Sequence, residues 1–351
     1  MRIVAVHGSN GMAARWPRHV EALNLEYRAV DGTSTSILDD LRDCDAFLWH
    51  LDQGKANDLR FARSVLLAAA SMGLRVYPDH NTSWHFDDKV AQKYALESIG
   101  APLADTWVYF DRDEALEFAS RASYPLVFKL RRGAGSLNVL MVRDRGEAVR
   151  LVTMMFGRGV SPFPATGAYK DARNRVRRRH RNPLWVIQNA PRVIAGYLRR
   201  TRSHDRERDY VLFQRFVPGN DHDVRVVIVG RRAFAWRRGV RPHDFRASGY
   251  GSNTFLEPEA IDTRVVELGF RIARDLRCQS LALDFVFEPG SGAPVVLEVS
   301  FATIPELVDA CRGYFDDALV WHPGSFDMAQ MVLQDLVDAD AIGDRGRRPL
   351  T

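Results

Sequence analysis

Short apolar runs broken by polar turns dominate the first 80 residues. Residues 3–6 are apolar and give way to His7-Gly8-Ser9-Asn10-Gly11, a strand passing into a loop. Residues 46–50 open in the same way into Leu51-Asp52-Gln53-Gly54. The pattern over 61–72 predicts a helix stopped by Gly73, followed by a strand over 75–77 that ends at Pro78. Strand–helix alternation of this kind predicts a small parallel α/β domain.

A helix is predicted over 87–98, with Val90, Tyr94 and Leu96 on one face and Gly100 as its stop. A strand over 107–110 precedes a helix over 113–122 whose first turn is acidic, where the helix dipole favours negative charge. Strands over 124–130 and 138–142 flank a glycine-bearing turn. Further strands are expected over 210–217, 223–229 and 232–238, then a helix over 261–276. A terminal hairpin pairs 281–287 with 294–299 across Pro289-Gly290-Ser291-Gly292, and the chain beyond Ala339 reads as frayed. The expected division is 1–82, an N-terminal α/β domain; 83–216, a small lobe with a basic insertion at about 165–208; 217–340, a C-terminal lobe; and 341–351, a flexible tail.

Composition narrows the class. At 351 residues, with 46% hydrophobic and 26% charged residues, the chain is long enough for two or three lobes around a sizeable core. Its three cysteines, Cys44, Cys278 and Cys311, are far apart and fall in no zinc spacing, which suits a reduced, cytoplasmic setting. The N-terminal apolar run is too short for a signal peptide, and no stretch reaches the length of a membrane span. The net charge of +5 is unevenly placed. Residues 170–208 hold 13 Lys and Arg against three Asp and Glu, a local +10, so the remainder carries −5. Arginine mixed with Trp185, Val193, Ile194 and Leu198 could lie on an anionic membrane, leaving peripheral contact with its inner face open, or meet an acidic partner. A solvated helical excursion is the plainer reading. No nucleic-acid module accompanies the run, and no specific nucleic acid is expected.

The terminal hairpin carries the most chemistry. Asp284 interrupts one apolar strand and Glu298 interrupts its partner. A buried carboxylate is costly unless it is paired or holds a metal. Two of them on neighbouring strands suit Mg2+, and ion pairs with nearby arginines are the alternative. Lys129, at the end of an apolar strand, precedes Gly133-Ala134-Gly135-Ser136, a turn whose backbone amides could close over phosphates or simply turn a hairpin. Lys89 stands near a helix start, where the dipole does not favour a cation; a solvated surface lysine is the plainer alternative. Gln214-Arg215-Phe216-Val217 and Asp223 form a strand and turn that could offer backbone groups for a base and a carboxylate for ribose hydroxyls, or be an ordinary strand-turn-strand with Asp223 and Arg225 exposed on one face. No Ser-His-Asp or Cys-His arrangement is evident. His7 and His50 end the first two strands, where they could help select a substrate or be ordinary loop histidines.

In order and spacing these elements resemble the ATP-grasp superfamily, especially its ribosomal-protein glutamate ligases, D-alanine–D-alanine ligases and glutathione synthetases. The resemblance covers residues 80–310, and the N-terminal domain fits the α/β domain that precedes the ATP-grasp lobes in that family. It implies that Lys89 and Lys129 contact ATP and that Gly133, Gly135 and Ser136 lie in the mobile phosphate loop. It also implies an adenine hinge at Gln214–Val217, a ribose contact at Asp223, and metal binding by Asp284, Glu298 and Ser300. Ser300 stands where the family usually has Asn, and the residues after it lack the usual Ser-Pro-Gly. The implied cofactors are ATP and one or two Mg2+ ions, with Mn2+ as an alternative. The implied reaction activates a carboxylate as an acyl phosphate for attack by an amine. Arg238 would then stabilise the transferring phosphoryl, and Arg225 and Arg246 would hold the substrate carboxylate or acyl phosphate. Small-molecule, glycan or peptide carboxylates and amines are the expected substrates, and a homodimer is allowed. A phosphotransferase and a catalytically weakened nucleotide-binding adaptor are the competing readings.

Overall fold

The computed structural model describes residues 1–133, 138–162, 195, 205–240, 244–247 and 252–338. Three sheets organise them. The first is parallel, in the order β2-β1-β3-β4, from β1 (Ile3–His7), β2 (Glu26–Val30), β3 (Ala46–Trp49) and β4 (Arg75–Tyr77). β3 is apolar throughout and β1 is apolar up to His7, because they lie inside the sheet with both faces covered. β2 did not emerge from the apolar pattern. It is an edge strand, Glu-Tyr-Arg-Ala-Val, with no fully buried position.

The small sheet runs β5-β8-β6-β7, from β5 (Thr106–Tyr109), β6 (Leu126–Lys129), β7 (Leu140–Val142) and β8 (Val211–Arg215), all antiparallel. Helices Arg112–Arg121 and Arg145–Met155 cover one face, seating Phe118, Val152 and Met155 against Phe128 and Phe213.

The large sheet runs β13-β12-β9-β10-β14-β15, with β11 also on β10. Its strands are β9 (His222–Val229), β10 (Arg232–Gly239), β11 (Asn253–Phe255), β12 (Ser280–Phe287), β13 (Pro294–Ser300), β14 (Gly313–Asp316) and β15 (Trp321–Pro323). Both faces of β9 are buried, and its alternation separates two cores. Val226 and Ile228 meet helix Thr263–Asp275, while Val227 and Val229 join the core of the parallel sheet. The hairpin β12–β13 is not the last element, as the sequence pattern had suggested. A short helix Pro305–Asp309, β14, β15 and helix Met328–Val337 follow it. That last helix packs back onto the first sheet, where the Trp16 indole donates to the Ala329 carbonyl at 3.0 Å and Arg75 donates to the Leu336 and Val337 carbonyls at 2.9 Å. No described helix is long and apolar enough to cross a membrane. The basic run from 163 to 204, except 195, and the tail from 339 onward lie outside the described residues.

Candidate active site

The site forms where the outer edge of β13 meets the small sheet. On β12, Leu281, Leu283 and Phe285 point into the core under helix Thr263–Asp275, so Asp284 turns to the opposite face. On β13, Glu298 lies opposite Asp284, but the register then skips from that pair to Phe285–Val296. Leu297 is the extra residue of this bulge. A bulge takes one residue out of the ladder and re-aims its backbone. Here the Leu297 carbonyl accepts from Lys129 Nζ at 3.3 Å and from Gln214 Nε2 at 3.2 Å. The segment ahead of β5 pairs with the same edge, since Val296 donates to the Pro102 carbonyl at 2.8 Å and Ala104 donates to the Val296 carbonyl at 3.0 Å.

Lys89 enters from a third direction. Asp88 caps helix Lys89–Ser98 by accepting from the Val90 and Ala91 amides, which fixes Lys89 at the first helical position. Its ammonium donates to the Gly133 carbonyl at 2.9 Å and pairs with Glu298 Oε1 at 3.1 Å. Gly133 has φ +128, a conformation suited to glycine, and its amide donates to Asp87 Oδ1 at 3.1 Å. Glycine here thus lets the chain enter its turn while holding both neighbours.

The charges on these groups are strongly conditioned by burial. Burial pushes the Lys129 ammonium down to about 8, with Lys89 adding to the fall and Glu298 only partly opposing it. Burial also lowers Lys89, yet Glu298 and Asp87 outweigh it and hold its pKa above the usual lysine value. Burial raises Asp87 to about 6 despite Lys89 and the Gly133 amide.

Beside this lies a second charged group. Asp223, Arg225, Val227 and Val229 share one face of β9, and register sets Arg225 opposite Asp284 and Asp223 opposite Arg238. Asp284 Oδ1 accepts from Arg225 Nε at 2.7 Å, and Oδ2 accepts from Arg225 Nη2 at 2.8 Å and lies 2.7 Å from Arg238 Nη2. Asp223 takes Arg238 bidentately, at 2.7 and 2.6 Å. Burial disfavours the Asp284 charge, but the two guanidinium groups overcome it and hold the carboxyl well below the usual range.

The structure thus gathers Lys89, Lys129, Gly133, Gln214 and Glu298 in one place and Asp223, Arg225, Arg238 and Asp284 in the next. Asp223, expected at a ribose, has both oxygens engaged by Arg238. Val217 is buried with Ala104, Val286 and Val295 at the turn after β8. Ser300 Oγ donates to the Ala302 carbonyl at 3.2 Å. Arg246 holds Asp244 through three of its contacts and donates to the Val139 carbonyl at 3.2 Å, just past the glycine turn. Gly135 and Ser136 lie outside the described residues.

Several contributors carried no signal in the chain. The Leu297 carbonyl is a backbone group exposed by a bulge. Glu207, 4% exposed, accepts from the Tyr210 hydroxyl at 3.0 Å and pairs with Arg131 at 3.4 Å, and Arg131 also bonds Asp88 at 3.2 Å. This cluster braces the turn next to Lys89, and its members come from separate segments.

As arranged, the acidic residues do not make an open divalent-cation site. Both Asp284 oxygens face arginine, Glu298 faces Lys89, and the Ser300 hydroxyl is turned to a carbonyl. Among the described residues no group of three or more His, Cys, Asp or Glu is gathered for a metal.

No protein-family model and no curated protein matches the chain. Solved structures do. The ATP-grasp RimK domain protein from Sphaerobacter thermophilus DSM 20745 aligns at TM-score 0.54 and 18% identity, over 95% of this chain and 99% of that one. D-alanine–D-alanine ligase from Bacillus anthracis aligns at TM-score 0.58 and 14% identity, over 98% and 100%. The D-cycloserine synthetase DcsG aligns at TM-score 0.55 and 15% identity, over 96% and 99%. Each likeness spans nearly the full length of both chains, parallel domain and two antiparallel sheets together. The chain therefore has the ATP-grasp fold.

Proposed function

We propose that this protein is an ATP-dependent ligase that joins a carboxylate to an amine through an acyl phosphate. The observation that carries the reading is the convergence of Lys89 and Lys129, both at least nine-tenths buried, on Glu298 at the bulged edge of β13. Glu298 and Asp87 compensate Lys89, whereas the Lys129 ammonium bonds the neutral Leu297 carbonyl and keeps its charge for a polyanion such as a triphosphate. The segment from Gln214 to Val217 would offer the base its backbone groups, and the turn beginning at Gly133 would close over the phosphates. Arg225, Arg238 and Arg246 are the cations available to a transferring phosphoryl or a substrate carboxylate, groups that guanidinium binds bidentately. Asp223 would act by holding Arg238. Acyl transfer of this kind works by positioning and charge stabilisation and calls for no protein nucleophile. Bound ligands of the neighbours support the cofactors, since one solved D-alanine–D-alanine ligase carries ATP and a biotin carboxylase domain carries MgADP.

A second reading, nucleotide binding without turnover, is favoured by the occupation of both Asp284 oxygens by arginine. One assay separates the two. The protein is incubated with ATP and Mg2+ against pools of amino acids, short peptides and amines, with hydroxylamine added to trap an acyl phosphate as a hydroxamate. Without hydroxylamine, ligation predicts ADP and phosphate in equal amounts only when both substrates are present; with it, the carboxylate alone gives ADP, phosphate and the hydroxamate. It also predicts loss of turnover by at least about a hundredfold in Lys129→Ala. Nucleotide binding with no ADP under any pool would sink the ligase reading, and a stable phosphorylated product would point to phosphotransfer.

A further inference from the structure

We infer that the free protein takes no divalent cation at Asp284, because Arg225 and Arg238 hold the place that the cation would fill, and that a polyanion binds before any metal does. The second half rests on the ligase reading; the first half rests on geometry alone.

Asp284 is 6% exposed and meets three guanidinium N–H groups, at 2.7, 2.8 and 2.7 Å. Two of them come from Arg225, the cross-strand neighbour on β9, and register makes that contact unavoidable. The third comes from Arg238, which is itself fixed by two bonds to Asp223. Two carboxylates and two guanidinium groups form a closed, electrically neutral chain. Mg2+ needs oxygen atoms free to approach at about 2 Å and resists dehydration, so it gains little from oxygens already saturated. It would also meet two fixed positive charges on the same oxygens. Glu298 is left as a single carboxylate whose Oε1 pairs with the Lys89 ammonium at 3.1 Å, a fixed cation that competes for the same oxygen.

The same geometry shows what could open the chain. Arg225 is the most exposed member, with 20% of its side chain accessible against 7–8% for Arg238, Asp223 and Asp284. Phosphate oxygens match a guanidinium fork as well as a carboxylate does. A bound polyphosphate can therefore compete for Arg225 and leave an Asp284 oxygen free, whereas a lone cation cannot. The arginines act here as a placeholder: they keep a buried carboxylate compensated until the ligand brings its own charge.

The test uses the full chain and Mn2+ as a paramagnetic probe, with free Mn2+ followed by electron paramagnetic resonance. The wild-type protein without nucleotide is expected to bind no Mn2+ up to about 1 mM. Arg225→Gln and Arg238→Gln should each gain a Mn2+ site by at least about tenfold in affinity. That gain should vanish when Asp284→Asn is added. Two arginine variants are made so that one failing to fold, judged by thermal melting, leaves the other readable. ATP binding is measured separately by calorimetry in EDTA, where the wild-type chain is expected to bind without metal. Tight Mn2+ binding by the free wild-type protein that Asp284→Asn removes would overturn the inference, as would arginine variants that fold but gain nothing. ATP binding that requires added metal would overturn the order of binding. Absence of ATP binding under every condition would instead remove the ligase reading and leave the Mn2+ result standing.

Discussion

Individual residues around the helix at Lys89 set opposing responses to pH. Burial raises the Asp87 carboxyl to about 6, so the folded state binds a proton that the unfolded chain has released above its ordinary value near 4. Its contribution is therefore greatest below pH 4 and falls as pH climbs to about 6. Burial depresses the His85 imidazole to about 4, the reverse case. Its contribution is complete above about pH 6.5 and is lost as pH falls toward 4. Each shift of about two units is worth about 3 kcal/mol across its window, so the two largely cancel in the wild type. Asp87 has φ +51, which Asn tolerates well, and Asn can still accept from the Gly133 amide. Asp87→Asn should thus gain stability over the wild type more at pH 7 than at pH 4.5, and His85→Gln should do relatively better at pH 4.5. Urea midpoints at the two values read this directly, and parallel pH profiles for all three proteins would show that neither group titrates as described. Lys89 and Lys129 stood out in the chain as cations in unexpected places. Their burial and the carboxylate they share did not, because Glu298 lies far away in sequence and reaches them only through the fold.

Elements were legible where an apolar run or a helical stripe stood out from its surroundings, as in β1, β3 and β12, while the half-buried helix Arg145–Met155 and β14 did not stand out. The helix Thr263–Asp275 was expected over 261–276 because Val265, Val266, Ile272 and Ala273 recur at helical spacing against β9 and β12. Its central Gly269 has a packing reason. A Cβ there would lie 3.2 Å from Val226 Cγ1 and 3.3 Å from Ile228 Cδ1, so the helix sits on the sheet at the distance that a missing side chain permits. Gly269→Ala should change stability little, since a better helix former is set against a slightly tight contact. Gly269→Val should cost about 2 kcal/mol or more by overpacking the same gap. Thermal melts of the two variants test this, and a well-tolerated valine would mean that the helix can lift freely from β9. The β13 bulge is the opposite case. Val-Val-Leu-Glu-Val-Ser reads as one regular strand, and only pairing with β12 on one side and with residues 102–104 on the other reveals that Leu297 is left over.

At the scale of the whole molecule, the parallel sheet and the large sheet share a core, while the small sheet has one of its own. Helix Met328–Val337 seals the shared core with Met328, Leu333 and Leu336, and Tyr77 bonds Ser280 across it at 2.8 Å. The first and last parts of the chain should therefore unfold together, with the small sheet opening separately. Leu333→Ala, at a fully buried position, should cost about 2–5 kcal/mol. Hydrogen exchange should show amides of β1 and β3 losing protection with those of β9, while those of β6 and β8 change little. Uniform loss across all three sheets would contradict this division.

The sequence by itself determined most of the strands, because an apolar run is a local feature, and the helices Ala62–Ser71, Lys89–Ser98, Arg112–Arg121 and Thr263–Asp275, but not Arg145–Met155 or Met328–Val337. It also singled out Asp284 as a carboxylate needing a partner, since charge inside an apolar strand is costly in any fold, and it left metal or arginine open. Only the tertiary structure decided between them. Register set Arg225 and Arg238 against Asp284, a bulge turned the Leu297 carbonyl outward, and a helix cap placed Lys89 on Glu298. These are contacts between segments distant in sequence, governed by pairing and packing, and no local pattern encodes them.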